Sequence, residues 1–130
     1  MIHFKNLIRK IPILHNYQKT IRNKITLISI KNSNQLVDNH FKFLAKQGFQ
    51  NTELFKVLFK EQNQILLNIF ETGSSANWGA NSSLLFDTYV KKFGGEFVTV
   101  DLRSEAKKYL DKKFSKLSRS FVDDSLNFID

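Results

Sequence analysis

The sequence predicts an α/β protein: an open parallel sheet with three strands present, preceded by a helical N-terminal extension. Two observations lead there. Between Ile65 and Val122 the chain alternates short apolar, β-type runs with helical stripes in the order strand, helix, strand, helix, strand. Periodicity and charge then change together near Gln64: residues 1–64 hold 11 Lys and Arg against 3 Asp and Glu, a balance of +8, whereas residues 65–130 hold 9 against 9. The expected division is therefore a basic helical extension over 1–64 and a sheet domain over 65–130. No Gly or Pro marks the join near Gln64, so a helical extension meeting a sheet is expected, not a flexible linker.

Composition limits the class further. With 130 residues, 42% hydrophobic and 13 of them Phe, the chain has enough apolar material for a substantial core. It contains no Cys, which excludes a disulfide framework, a thiolate metal site and a cysteine nucleophile, and suits a cytoplasmic setting. No apolar run approaches the roughly 20 residues of a membrane span, and Lys5, Arg9 and Lys10 interrupt any signal-peptide core. No acid precedes Asp38, so the first 37 residues would respond to a polyanion or an anionic lipid surface.

Taken in order, Phe4, Leu7, Ile8 and Ile11 have helical spacing until Pro12 interrupts. From Tyr17 to Ile30 a helical period competes with the β-branched run ITLISI, and both assignments stay open. Ser33 is placed to cap a helix burying Val37, Phe41 and Leu44 and ending at Gly48. Thr52 is placed to cap another, with Leu54, Phe55, Leu58 and Phe59 inward. ILLNIF, residues 65–70, is apolar enough for a strand covered on both faces. Leu85, Phe86, Tyr89, Val90 and Phe93 then form a helical stripe that Gly94-Gly95 stops. FVTV before Asp101 reads as the second strand. Ser104 would cap a helix with Ala106, Tyr109, Leu110 and Phe114 inward, and SFV at 120–122 supplies a third strand. Asp124-Ser125 either caps a last helix carrying Leu126 and Phe128 or presents a carboxylate to a ligand.

Any chemistry is expected at the carboxyl end of strand one, in Glu71-Thr72-Gly73-Ser74-Ser75-Ala76-Asn77-Trp78-Gly79, which is either a nucleotide-binding loop or an ordinary strand-to-helix turn. Gly73 allows a tight turn and Gly79 a close backbone approach, and the following helix offers free N–H groups to an anion or carboxylate. Ser75 stands where a pyrophosphate cradle needs its second glycine, which weighs against a nicotinamide dinucleotide. Asp101 ends strand two, where an acid either accepts hydrogen bonds from both ribose hydroxyls or serves as a helix N-terminal acid ahead of Ser104, favoured by the dipole.

ETG, a polar loop, SSLLF, GGEFVTVD and FVDDSLNFI, in this order, resemble the N-terminal half of a class I S-adenosylmethionine-dependent methyltransferase with an E-T-G first motif. The resemblance spans residues 65–130 and implies a Rossmann-like sheet. It also implies that Glu71 and Gly73 line the methionine part of S-adenosyl-L-methionine, that Asp101 binds the ribose, and that Asp124 and Ser125 meet the adenine. Ser75 and Gly79 complete the expected cofactor loop, although family loops carry a second glycine soon after Gly73. Trp78 either closes over the ligand or packs on the next helix. Such an enzyme has a seven-stranded sheet whose later strands hold the acceptor. The chain is accordingly expected to be a donor-binding fragment with its acceptor and catalytic residues elsewhere, and with a second chain or an absent C-terminal half covering the open sheet edge. The alternative is a non-catalytic, degenerate Rossmann-like module whose basic leader docks on a partner or membrane surface. His3, His15 and His40 show no metal-ligand spacing, and the leader has too few aromatic and basic pairs for a nucleic-acid platform.

Overall fold

A computed structural model describes residues 27, 29–42, 52–61, 66–75 and 81–129. The chain divides into two compact units, Met1–Lys31 and Asn32–Asp130. In the first, the helix expected at 2–11 lies outside the described residues, and Leu27 and Ser29 of the ambiguous segment are helical. Leu44, Gly48, Trp78 and Gly79 also lie outside the described residues.

The second unit runs α1 (Ser33–Phe41), α2 (Thr52–Glu61), β1 (Leu67–Thr72), α3 (Ser82–Phe93), β2 (Gly95–Asp101), α4 (Ser104–Leu110), β3 (Ser118–Val122) and α5 (Ser125–Ile129). The three strands are parallel in the order β1-β2-β3, with Glu71 opposite Thr99 and Thr99 opposite Ser120. In a parallel sheet whose strand order follows the sequence, crossovers of one hand put their helices on one face. α3 packs on β1 and β2, and α4 on β2 and β3.

That topology overturns the expectation that β1 is covered on both faces. Its residues alternate in burial, and Phe70 stays 43% exposed although Phe128 of α5 stacks on it at 5.9 Å. Phe70, Val98, Phe121 and Phe128 line a shallow groove of about 410 Å³ on this face, crossed by the Glu96–Arg119 ion pair at 2.8 Å.

The opposite face carries the core, a continuous run of rings. Phe41 stacks on Phe55, Phe59 lies 4.4 Å from Tyr89, Phe86 meets Phe97, and Phe97 meets Phe114. The run links both N-terminal helices to the sheet, through ring pairs that add to simple burial. It also corrects the inward face of α2. Phe59 is 1% exposed, but Leu54 and Leu58 are 68% and 44% exposed. Phe55 and Phe59, four residues apart, share the stripe that meets Phe41 and Phe86, and Leu54 and Leu58 point about 100° away from it.

Two caps also differ from expectation. Asn32 caps α1, its side chain accepting from the Gln35 N–H at 2.9 Å, and Ser33 is the first helical residue. Arg103 precedes α4 without a side-chain cap, and Ser104 lies inside the helix. Gly94 ends α3, its N–H donating to the Val90 carbonyl, as the Gly-Gly stop requires. β3 begins at Ser118, two residues before SFV.

Gly95 couples helix end to strand start. Its φ is +106°, and a Cβ there would lie 1.9 Å from the Leu67 carbonyl oxygen in the neighbouring strand. Gly73 has φ +75° with nothing within 4 Å of a Cβ, so backbone strain alone opposes a side chain there. We expect Gly73→Ala to cost about 1–2 kcal/mol and Gly95→Ala at least about 3 kcal/mol, read as shifts of the urea midpoint at constant slope. Equal losses would disprove the close approach of Gly95 to β1.

Candidate functional site

The carboxyl ends of the three strands open into a cleft of about 430 Å³ lined by Thr72, Gly73, Asp101, Arg103, Asp124 and Ser125, with Val100, Leu102 and Asp123 between them. Its first wall is the turn after β1. Gly73 donates its N–H to the Val100 carbonyl at 2.8 Å, which carries the strand pairing one residue past Thr72 before the chain turns away. A buried polar network then holds the loop.

Glu71 is the centre of that network. Its carboxylate accepts from the Ser82 hydroxyl at 2.6 Å, the Ser83 hydroxyl at 2.5 Å and the Thr99 hydroxyl at 2.9 Å. These bonds fix the proton order around them. Because Thr99 donates to Glu71, it accepts from Ser74, whose Oγ lies 2.8 Å away. Because Ser83 donates to Glu71, its oxygen is available to the Ser75 N–H at 3.0 Å. One carboxylate thus ties β1, β2, the start of α3 and the loop together. Burial raises the Glu71 pKa above its ordinary value, against the Ser82, Ser83 and Thr99 hydroxyls, which favour the charged form.

Asp101 supplies the opposite wall. It is almost fully buried, and Arg103 encloses it. The Arg103 N–H and Nε each donate to Oδ1 at 2.8 Å, and Nη2 donates to Oδ2 at 2.5 Å and to the Ser74 carbonyl at 3.0 Å. The guanidinium holds the Asp101 carboxyl below its usual range, with further support from the backbone N–H groups of Arg103 and Ser74. At the third corner, Asp124 Oδ1 accepts the Leu126 N–H at 2.9 Å and caps α5, and Asp123 Oδ1 accepts the Asp124 N–H at 2.7 Å.

Of the residues singled out from the sequence, Gly73, Asp101, Asp124 and Ser125 meet at the cleft. Glu71 stands behind it with its carboxylate turned to α3, Ser75 bonds to Ser83, and Gly79 lies outside the described residues. Thr99, Ser74 and Arg103 were not legible as site residues. Thr99 shares a strand face with Asp101, two residues on, and Arg103 follows Asp101 at the spacing of an Asx turn, so both signals were present but common. His40 lies on α1 with its ring edge-on to Phe41, and among the described residues no group of three His, Asp or Glu could hold a metal. Among them, too, no helix is long and apolar enough to cross a membrane. Comparison with protein-family models, curated proteins and solved structures returned no match to this chain.

The Glu71 and Asp101 carboxylates depend on pH with opposite sign. Glu71, raised by burial, contributes stability that is fully present below its unfolded value of 4.5 and is lost as the pH rises through its folded pKa. Asp101, lowered by Arg103, contributes stability present above 3.8 and lost as the pH falls through its folded pKa. The stability of the parent chain minus that of Glu71→Gln should therefore fall as the pH rises from 4.5 towards neutrality. Urea titrations across that range measure it, and a difference that grows with pH would refute the raised pKa.

Proposed function

We propose that this chain binds S-adenosyl-L-methionine at the carboxyl ends of its strands and is the donor-binding half of a methyltransferase with a Rossmann-like sheet. The observation that carries the reading is the convergence of Gly73, Asp101 and Asp124-Ser125, far apart in sequence, on one cleft at the strand ends. Ligands of open α/β sheets bind at that edge. The volume suits a small molecule, since such clefts start at about 300 Å³.

Charge favours a sulfonium ligand over a dinucleotide. Three carboxylates, Asp101, Asp123 and Asp124, line the cleft against one guanidinium. That surplus repels a pyrophosphate and attracts a cation. In this reading Asp101 accepts the ribose hydroxyls, the second oxygen of Asp124 and the Ser125 hydroxyl meet the adenine edge, and the Gly73 backbone faces the methionine end. Glu71 acts indirectly, by holding the loop in place through Ser82, Ser83 and Thr99.

S-adenosyl-L-methionine carries an activated methyl on its sulfonium, which an acceptor nucleophile takes by direct displacement. The contribution of these residues is to orient the donor and exclude water from it, which is where most of the acceleration of such a transfer arises. In the same reading, the β1 edge and the groove beside Phe70 receive further polypeptide that carries the acceptor site.

Calorimetric titration with S-adenosylhomocysteine tests the reading on chain whose circular dichroism is that of an α/β fold. The parent should bind, and Asp101→Ala should weaken binding at least tenfold, about 1.4 kcal/mol. No heat from the folded parent, or equal affinity in both chains, would overturn it.

A further inference from the structure

Three of the roughly four lone-pair sites of the Asp101 carboxylate are taken: Oδ1 accepts the Arg103 backbone N–H and Nε, and Oδ2 accepts Nη2. A ribose diol brings two donors, and only one site remains for them.

The donors differ in how readily they leave. The backbone N–H belongs to the turn that starts α4, and moving it would dismantle that turn. The guanidinium instead belongs to a side chain 48% exposed, against 6% for Asp101, so water can solvate it when it swings out. It also gives up as many bonds to the carboxylate as a vicinal diol supplies, in the same two-pronged arrangement.

We propose that Arg103 is a latch over Asp101, an internal competitor that the vicinal hydroxyls of an adenosyl ligand must displace, which makes it a determinant of affinity and of selectivity for the diol. The proposal rests on the adenosyl reading of the cleft. Its consequence follows from mass action: apparent affinity is the intrinsic affinity multiplied by the fraction of chain with the latch open. Salt screens a partly exposed ion pair, so salt opens the latch. A neutral nucleoside should then bind more tightly at higher ionic strength, the reverse of ordinary electrostatic binding.

Adenosine and 2′,3′-dideoxyadenosine, titrated into the parent, Arg103→Leu and Arg103→Lys chains, test the latch, with S-adenosylhomocysteine as the separate test of the cleft. Circular dichroism and thermal melts confirm folding, and Arg103→Lys keeps the charge without the planar fork if the leucine chain fails to fold. We expect adenosine to bind Arg103→Leu about tenfold more tightly than the parent, with Arg103→Lys in between. The dideoxynucleoside, which has no diol to exchange, should bind all three alike. Raising NaCl from 50 to 500 mM should tighten adenosine binding to the parent and leave Arg103→Leu unchanged. Equal gains for both nucleosides would mean that Arg103 merely fills space. Unchanged or weaker adenosine binding in the variants, with S-adenosylhomocysteine still bound by the parent, would overturn the latch and leave the cleft assignment standing. If no folded chain binds either adenosyl compound, both fall.

Discussion

One part-buried carboxylate holds the carboxyl end of the sheet together. Glu71 is the penultimate residue of β1, yet its three hydroxyl donors come from α3 and β2. A strand end, a helix start and a neighbouring strand are otherwise held only by packing, which tolerates sliding. A charged acceptor with directional donors on each element does not, because any slip leaves a buried polar group unpaired at a cost of about 1–3 kcal/mol. The loop after β1 then inherits its position. Ser74 and Ser75 bond to the hydroxyls that Glu71 has already oriented, and the Ser74 carbonyl receives Arg103. Burial raises the pKa of the same group, so the charge that organises the site is also held at some cost.

The two faces of the sheet divide the other tasks. On the helical face, rings from α1, α2, α3, β2 and the segment after α4 form one continuous apolar layer, and a polar row of Glu71, Thr99 and Ser120 crosses it near the strand ends. That row leads into the cleft. On the other face Phe70 and Phe121 keep substantial exposure, with Phe128 as their partner among the described residues. The asymmetry follows from topology, because successive crossovers of one hand, in a sheet ordered as its sequence, cover one side.

At the cleft itself the balance lies between two ways of satisfying a buried acid. Asp101 is far too buried to stand unpaired, and Arg103 supplies both countercharge and geometry. A ligand that uses Asp101 must offer comparable hydrogen bonding in the same plane. Asp123 and Asp124 add to Asp101 a surplus of negative charge at the cleft.

The sequence by itself determined the order of strands and helices from Leu67 onward, because apolar periodicity and the Gly94-Gly95 stop are local properties of the chain. It also determined that Gly73, Asp101 and Asp124 fall at strand ends, since each closes a β-type run or follows one within three residues. Local signals were weaker guides to caps: Asn32 and Ser33 are both good capping residues, and only the backbone path chose Asn32. Tertiary structure alone decided which stripe of α2 is buried, since Leu54 and Phe55 are equally apolar and the ring of Phe41 made the choice. It alone left Phe70 exposed, because an apolar run carries no record of how many faces its sheet will have covered. It also turned Glu71 towards α3 and closed Arg103 over Asp101. The first depends on donors 11 to 28 residues away, a meeting with no signature in the local sequence, and the second, between residues two apart, is completed by the Ser74 carbonyl 29 residues away.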